Sequence, residues 1–250
     1  MYQVRQCTAE ACRLRFPARA EELPTMCCPR CGALTQICAQ TAVSSERPNI
    51  ASRSQGEAGL TAHRLPAHRL PMVIVVDNVR SLFNVGSIFR SADGAGVAHL
   101  YLCGITPTPE NHKLAKTALG AELTVPWRHF TNGLDCIALL RRDGYLIWAL
   151  EETATAHSIF DAPLPVAPLA LIVGNEVSGI DPALLAAADA TVALPMYGTK
   201  RSLNVATASG AAVILLTHRM ITEARTSTHH SINHPSSTHL PSSTHPERQP

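Results

Sequence analysis

Cys7 and Cys12 in "CTAEAC" and Cys28 and Cys31 in "CPRCG" place two pairs of thiols, each pair one short turn apart, near the start of the chain. Thiolates at that spacing converge on one metal ion. In C-P-x-C-G the Pro tightens the turn and the Gly relieves the backbone where amide groups face the sulfurs. A second pair across a hairpin completes a tetrahedral four-thiolate zinc site, and a segment too small for its own core depends on such a site to fold. Disulfides are the competing use of paired cysteines. They fit poorly with an opening "MYQVRQCTAE" that has no secretory apolar stretch, so reduced thiols are expected. Cys27 is an ambiguous neighbour of Cys28. Cys38, Cys103 and Cys136 have no ligand spacing and read as buried small hydrophobes.

Three later stretches carry polar residues at the borders of apolar runs. In "VDNVRSLFNVGSIFRSADGAGV", 76–97, Asn84 is a candidate N-cap and Gly86 lets another chain or ligand approach the first turn. Arg90 then projects from the second turn, near enough to share a pocket with Asn84; an ordinary surface Arg is the competing reading. In "LALIVGNEVSGI", 169–180, an apolar strand stops at Gly174, with Glu176 and Gly179 in the loop that follows. That arrangement faces ligands in some proteins and is a plain turn in others. In "LPMYGTKRSLNVATASGAAVILLTH", 194–218, Leu194-Pro195-Met196 closes a strand and Gly198 bends the loop. Ser202 either caps the next helix or faces a ligand, and Leu203-Asn204-Val205 begins the helix.

The elements that must position these residues alternate along the chain. Apolar, largely β-branched runs at 72–76, 98–103, 145–150, 169–173 and 190–194 predict strands. Amphipathic patterns at 85–95, 110–118, 133–142, 182–188 and 203–221 predict helices between them. Continuous apolar strands alternating with helices predict an α/β fold, an open and mostly parallel sheet with helices on both faces. Ligands of such sheets sit beyond the carboxyl ends of the strands.

With 250 residues, 46% hydrophobic and 16% charged, the chain has room for one sizeable domain and appendages. Composition divides it into a zinc-ribbon-like head at 1–38, a linker at 39–70 ending in "HRLPAHRLP", an engine at 71–222 and a His/Ser/Thr/Pro-rich tail at 223–250. The tail repeats "PSSTH" and has few apolar residues, so it is expected to be disordered. No apolar run reads as a membrane span of about 18 to 20 residues, and the expected location is the cytoplasm. Residues 1–69 hold nine Arg and no Lys against five Glu, while 70–221 hold ten basic and twelve acidic side chains. Arg favours forked contacts to phosphate, so this asymmetry is either a nucleic-acid contact at the front end or a solvated surface.

Taken together and in this order, the three stretches resemble the signature motifs of the SpoU or TrmH-type branch of the SPOUT RNA methyltransferases: N-x-G-x-x-x-R, G-x-E-x-x-G and P-M-x-G-x-x-x-S-L-N-V. "KTALGAEL", 116–123, is similar to the family's segment ahead of its middle strand. The resemblance covers roughly 72–221 and neither the head nor the tail. It implies that the sheet ends in a C-terminal trefoil knot, built here from about Ala170 to Ile221. It also implies that S-adenosyl-L-methionine binds against Gly174, Leu194 and Leu203 with Met196 nearby, and that a methyl group passes to a ribose 2′-hydroxyl of tRNA or rRNA. The catalytic positions it implies are Arg90, Asn84, Ser202 and Asn204, with Glu176 shaping the pocket. A guanidinium almost never deprotonates, so Arg90 is expected to orient phosphate and stabilise a developing alkoxide rather than act as base. The resemblance further implies a homodimer in which the Arg of one protomer completes the pocket of the other. The competing readings are a non-catalytic RNA-binding module that keeps the knot and the zinc head, and a nucleotide-cofactor oxidoreductase. The last lacks a G-x-G-x-x-G after the first strand. With the head read as a recognition element, its removal is expected to weaken RNA binding and spare cofactor binding.

Overall fold

In the computed structural model, which describes residues 2–19, 27–41 and 70–232, the chain opens with three short strands: β1 (Tyr2–Cys7), β2 (Arg15–Arg19) and β3 (Thr35–Thr41). They form an antiparallel sheet in the order β2-β1-β3. Cys7 and Cys12 lie at the β1–β2 turn, and Cys28 and Cys31 lie just ahead of β3. The head thus runs to residue 41, three residues into the segment expected as linker. Most of that linker, and residues 233–250 of the tail, lie outside the described residues. Cys38 stands exposed on β3, against the expectation that it is buried. It is the extra residue where β3 shifts register between Ala39, opposite Val4, and Ile37, opposite Arg5, so it has no partner across the sheet.

The engine follows as β4 (Leu70–Asp77), α1 (Leu82–Gly94), β5 (Val97–Cys103), α2 (His112–Ala118), α3 (Ala121–Thr124), β6 (Trp127–Phe130), α4 (Gly133–Arg142), β7 (Leu146–Leu150), β8 (His157–Ser158), β9 (Leu169–Val173), α5 (Pro182–Ala186), β10 (Ala190–Ala193) and α6 (Val205–Ile232). Its seven strands form one sheet in the order β6-β5-β4-β9-β7-β10-β8, and every pairing is parallel. All five expected strands and all five expected helices are present. The elements not expected are α3, β6, β8 and the head strands.

Burial explains the apolar runs. Met72, Ile74 and Val76 of β4, with Leu169, Leu171 and Val173 of β9, face one core with Val85, Ile88 and Phe89 of α1 and Ala212, Val213 and Leu216 of α6. Val73, Val75, Ala170 and Ile172 face the other, with Cys136, Ile137 and Leu140 of α4 and Leu184 of α5. A central strand buried on both sides has no polar face, and each such side chain contributes about 1.5–3 kcal/mol. Because β9 inserts between β4 and β7, strand order reverses at β4 and opens a crevice at the carboxyl ends.

Three expectations about the helices are corrected. Asn84 is not the cap of α1: Ser81 is, its Oγ accepting from the Asn84 N–H at 3.3 Å, which starts the helix a turn earlier. What approaches α1 at Gly86 is α2, since a Cβ there would lie 2.1 Å from Thr117 Oγ1. Finally, α6 does not stop at Ile221 but continues to Ile232, so the first residues of the expected tail are helical. Once a helix is nucleated on a core, each added residue gains a backbone hydrogen bond, and Arg219 and Glu223 pair across one turn at 3.7 Å. The segment Val205–Glu223 of α6, at mean hydropathy 1.3 over 19 residues, is also long and apolar enough to cross a membrane by length and composition, which the sequence reading did not anticipate. Here Ala212, Val213 and Leu216 seat it on the core.

Candidate active site and metal centre

Beyond the carboxyl ends of β7, β9 and β10 the chain leaves an open cleft of about 930 Å³. Leu150 and Glu151 enter it from the end of β7, Val173, Gly174, Asn175 and Glu176 from the end of β9, and Ala193, Leu194 and Met196 from β10 and its loop. Arg80, Ser81, Phe83 and Asn84 at the start of α1 and the run 201–205 close the other side. Gly174, Glu176, Leu194, Met196, Ser202, Leu203, Asn204 and Asn84 are therefore brought together as the sequence leads one to expect. Arg90 is not. It stands exposed on α1, off the cleft of its own chain, and its guanidinium makes no hydrogen bond or ion pair among the described residues.

One hydrogen-bonded line ties the three motifs. Glu176 accepts from the backbone N–H groups of Arg80 and Ser81 at 3.1 and 3.0 Å and from Asn84 Nδ2 at 2.9 Å. Asn84 Oδ1 in turn accepts from Asn204 Nδ2 at 3.1 Å. Asn204 Oδ1 accepts from the N–H groups of Ala206 and Thr207 at 2.9 and 3.3 Å. Both amide orientations are dictated by chemistry, because a carboxylate can only accept at one end of the line and backbone N–H groups can only donate at the other. Asn204, not Ser202, therefore caps α6, and Ser202 lies in the cleft wall. The Glu176 carboxylate also sits where the helix dipole of α1 favours negative charge.

The loop after β9 is held in a tight fold. A Cβ on Gly174 would lie 2.3 Å from the backbone N of Ile180, so only glycine lets the loop close on its own stem. Asn175 and Gly179 exchange backbone hydrogen bonds at 3.0 Å, and Asn175 Oδ1 accepts from Val177 and Ser178 N–H at 2.9 and 3.0 Å. Asn175 Nδ2 donates to the Asn78 carbonyl, and Glu151 accepts from the Ile180 N–H at 3.0 Å. Asn175 and Glu151 were missed in the sequence. Asn175 lay inside the quoted motif at a variable position, and Glu151 is joined to the loop only by folding.

Below this loop lies a buried ionic cluster. Asp77, at the end of β4, accepts from the Asp181 backbone N–H at 3.2 Å and from Asn78 Nδ2 at 2.8 Å. Burial, then the neighbouring Asp181 carboxylate, push the Asp77 carboxyl up to about 7. Asp181 caps α5 and receives the guanidinium of Arg15, which reaches from β2 of the head through Nε and, at 2.8 Å, Nη2. The hydrogen bond to Asp181 raises the Arg15 pKa above its ordinary value. No local pattern announces a pair 166 residues apart.

In the head, the sulfurs of Cys7, Cys12, Cys28 and Cys31 all lie within 4.8 Å of one another, with Cys7 to Cys31 at 3.4 Å and Cys12 to Cys28 at 3.8 Å. Tetrahedral zinc with Zn–S near 2.3 Å has sulfur–sulfur edges of about 3.8 Å, so the donor set fits that ion. The Ala33 backbone hydrogen bond, followed by the neighbouring Cys7, pulls the Cys31 thiol down to about 7, while burial pushes Cys7 up to about 12. Cys27 is outside the set and pairs through its backbone with Leu34.

The sequence model of the SpoU rRNA methylase family matches residues 71–215. A 23S rRNA (guanosine-2′-O-)-methyltransferase RlmB of Vibrio parahaemolyticus is 35% identical over 58% of this chain and 58% of its own length. The RlmB of a Burkholderia species is 32% identical over 79% of this chain and 88% of that protein. Among solved structures, an AdoMet-bound rRNA methyltransferase of Sinorhizobium meliloti superposes with TM-score 0.56 at 28% identity, covering 60% of this chain and 56% of that one. The chain thus spans 58% of the length of the Vibrio relative.

Proposed function

Because the chain belongs to the SpoU rRNA methylase family, we propose that it is an S-adenosylmethionine-dependent RNA methyltransferase acting on a ribose 2′-hydroxyl. The observation that carries this is the Glu176–Asn84–Asn204 line, which assembles all three motifs on one wall of one cleft. A cleft of about 930 Å³ is in the range that takes a drug-sized ligand. Gly174, Leu194, Met196 and Leu203 would hold the cofactor through backbone groups and apolar contact. When bound, it supplies an electrophilic methyl group on a sulfonium. Ribosomal RNA is favoured over transfer RNA as substrate, since the curated relatives are named as 23S rRNA methyltransferases. An RNA substrate puts the protein in the cytoplasm.

In the transfer the ribose oxygen would take the methyl group, the sulfonium would leave as a neutral thioether, and the hydroxyl proton would pass to water in the open cleft. A hydroxyl is a poor nucleophile until that proton is lost, so this chain's task is to orient it and stabilise the charge that develops. Ser202 and the Asn84–Asn204 pair present hydroxyl and amide groups to the cleft for that purpose. Glu176 is committed to Arg80, Ser81 and Asn84, and it shapes the wall rather than moving a proton. Arg90 completes the site from a second copy of the chain, which makes the active species a homodimer. The segment from about Ala170 to Ile221 forms the trefoil knot. The four thiolates of the head hold one structural zinc ion.

Arg90's place off the cleft favours a second reading, an RNA-binding module without catalysis. Calorimetry of the purified protein with S-adenosylmethionine, together with mapping of ribose methylation in RNA from cells with and without the gene, separates the two. Cofactor binding and a lost methyl mark are expected; a protein that binds RNA but not the cofactor refutes the enzyme.

A further inference from the structure

The head is not tethered beside the engine but built into it, at the foot of the loop that lines the cleft. Arg15, with its side chain 6% exposed, meets Asp181, whose side chain is 2% exposed. Its backbone N–H donates to the Thr131 carbonyl at 3.2 Å. The head's small core of Cys7, Leu14, Phe16 and Cys28 is completed by Ile105 of the engine. Val4 and Pro17 of the head approach Ser178, Gly179 and Ile180 so closely that about 10 Å³ remains between them, room for about one water. An exposed pair, Arg13 with Asp135 at 3.3 Å, flanks the junction.

We infer that Arg15 is a positioning residue for the cofactor loop: from the head, its forked guanidinium fixes Asp181, and through Asp181 the 174–181 loop that forms the cleft wall. Asp181 is the right lever. Its backbone N–H is held by Asp77, its carboxylate caps α5 through the Ala183 N–H at 2.9 Å, and it follows Ile180, whose N–H is held by Glu151. Two buried carboxylates, Asp77 and Asp181, share this spot, and Arg15 supplies the positive charge that offsets them. Without it, the Asp181 carboxylate is buried unpaired, and the loop gains by opening to water. Zinc in the head and cofactor in the cleft are coupled through this contact, the reverse of a head whose loss spares cofactor binding.

The inference rests on the cleft being the cofactor site, so its first readout is taken without cofactor. Hydrogen exchange of the full chain should rise in 175–181 for Arg15→Ala while the central strands β4 and β9 stay protected. Arg15→Lys keeps the charge and loses the fork, and should fall between. Arg13→Ala should behave as wild type. Affinity for S-adenosylmethionine by calorimetry should fall about two- to thirtyfold in Arg15→Ala, the range carried by coupling through a packed network. Stripping metal from the full chain with a chelator should loosen the same segment. Unchanged exchange at 175–181 in both Arg15→Ala and the stripped protein overturns the inference, as does loosening of the whole sheet, which would make Arg15 a general stability contact. If wild type itself binds no S-adenosylmethionine, the proposed function fails while the exchange result still decides the brace.

Discussion

Arg90→Ala tests whether the active site is shared between two chains. On α1, Arg90 stands six residues past Asn84, which is about 9 Å along the helix axis and about 120° around it. Asn84 faces the cleft, so Arg90 points elsewhere, and in the proposed dimer it serves a neighbour's cleft. Losing a charged donor aimed at developing negative charge costs about 3 to 4 kcal/mol, roughly a hundred- to a thousandfold in turnover. Cofactor affinity should be unchanged, because nothing that lines the cleft is altered. Arg90→Lys should recover little, since an ammonium cannot make a two-pronged contact. The decisive assay mixes Arg90→Ala chains with Leu203→Asp chains, whose cleft wall carries a carboxylate, and follows transfer of labelled methyl from S-adenosylmethionine to RNA. Random pairing of a symmetric dimer makes about half the dimers mixed, each with one whole site, so activity should return to about a quarter of wild type. If Arg90 serves its own cleft, no pairing repairs either site and the mixture stays at the level of its parents. That result, or near-normal turnover by Arg90→Ala alone, refutes the shared site.

Elemental analysis of the purified, reduced protein should give about one zinc per chain, lost when Cys28 and Cys31 are both changed to Ser. Asp77 faces Asp181, Arg15, Asn78 and the Cys103 thiol, and its folded pKa of about 7 lies above the ordinary 3.8. The stabilisation from its bound proton is complete below about pH 4 and is lost as pH rises through 7, worth up to about 4 kcal/mol; Asp77→Asn should flatten the chemical-denaturation slope across that window. Glu176→Ala removes the acceptor for two backbone N–H groups at the start of α1 and should cost about 1 kcal/mol, seen as a drop of about 2–4 °C in melting temperature.

What was legible in the sequence was what is local. A run such as Met72 to Val76 has only one way to be buried, and its strand follows from composition alone. The cysteine pairs announce themselves because a metal-binding turn is a few residues long. The helix caps are ambiguous for a related reason: Ser81 and Asn84, or Ser202 and Asn204, are equally good capping residues, and only the contacts of Asn84 with Glu176 and with Asn204 decide between them. The edge strand β6, "WRHF", has no apolar run because none of it is fully buried: Arg128 is exposed and the other three residues are half-buried. Arg15 with Asp181, and Glu151 with Ile180, leave no mark in the sequence, since their geometry exists only once the sheet has formed.

The order of dependence at the site runs opposite to what motif reading suggests. Read as motifs, Asn84, Glu176 and Asn204 look like separate ligands for a substrate. In the fold each is first a partner for another: Glu176 anchors the start of α1, Asn84 bridges, and Asn204 starts α6. Gly174 is required by the loop's own backbone rather than by an incoming ligand. A cleft whose walls hold one another needs little reorganisation when substrate arrives, which is the condition for electrostatic stabilisation to act on the transition state rather than be spent on ordering the site. The same logic extends to the head. A loop this tightly closed tolerates an external brace only where its stem is rigid, and Asp181, held through its backbone by Asp77 and through its side chain by Arg15, is that point.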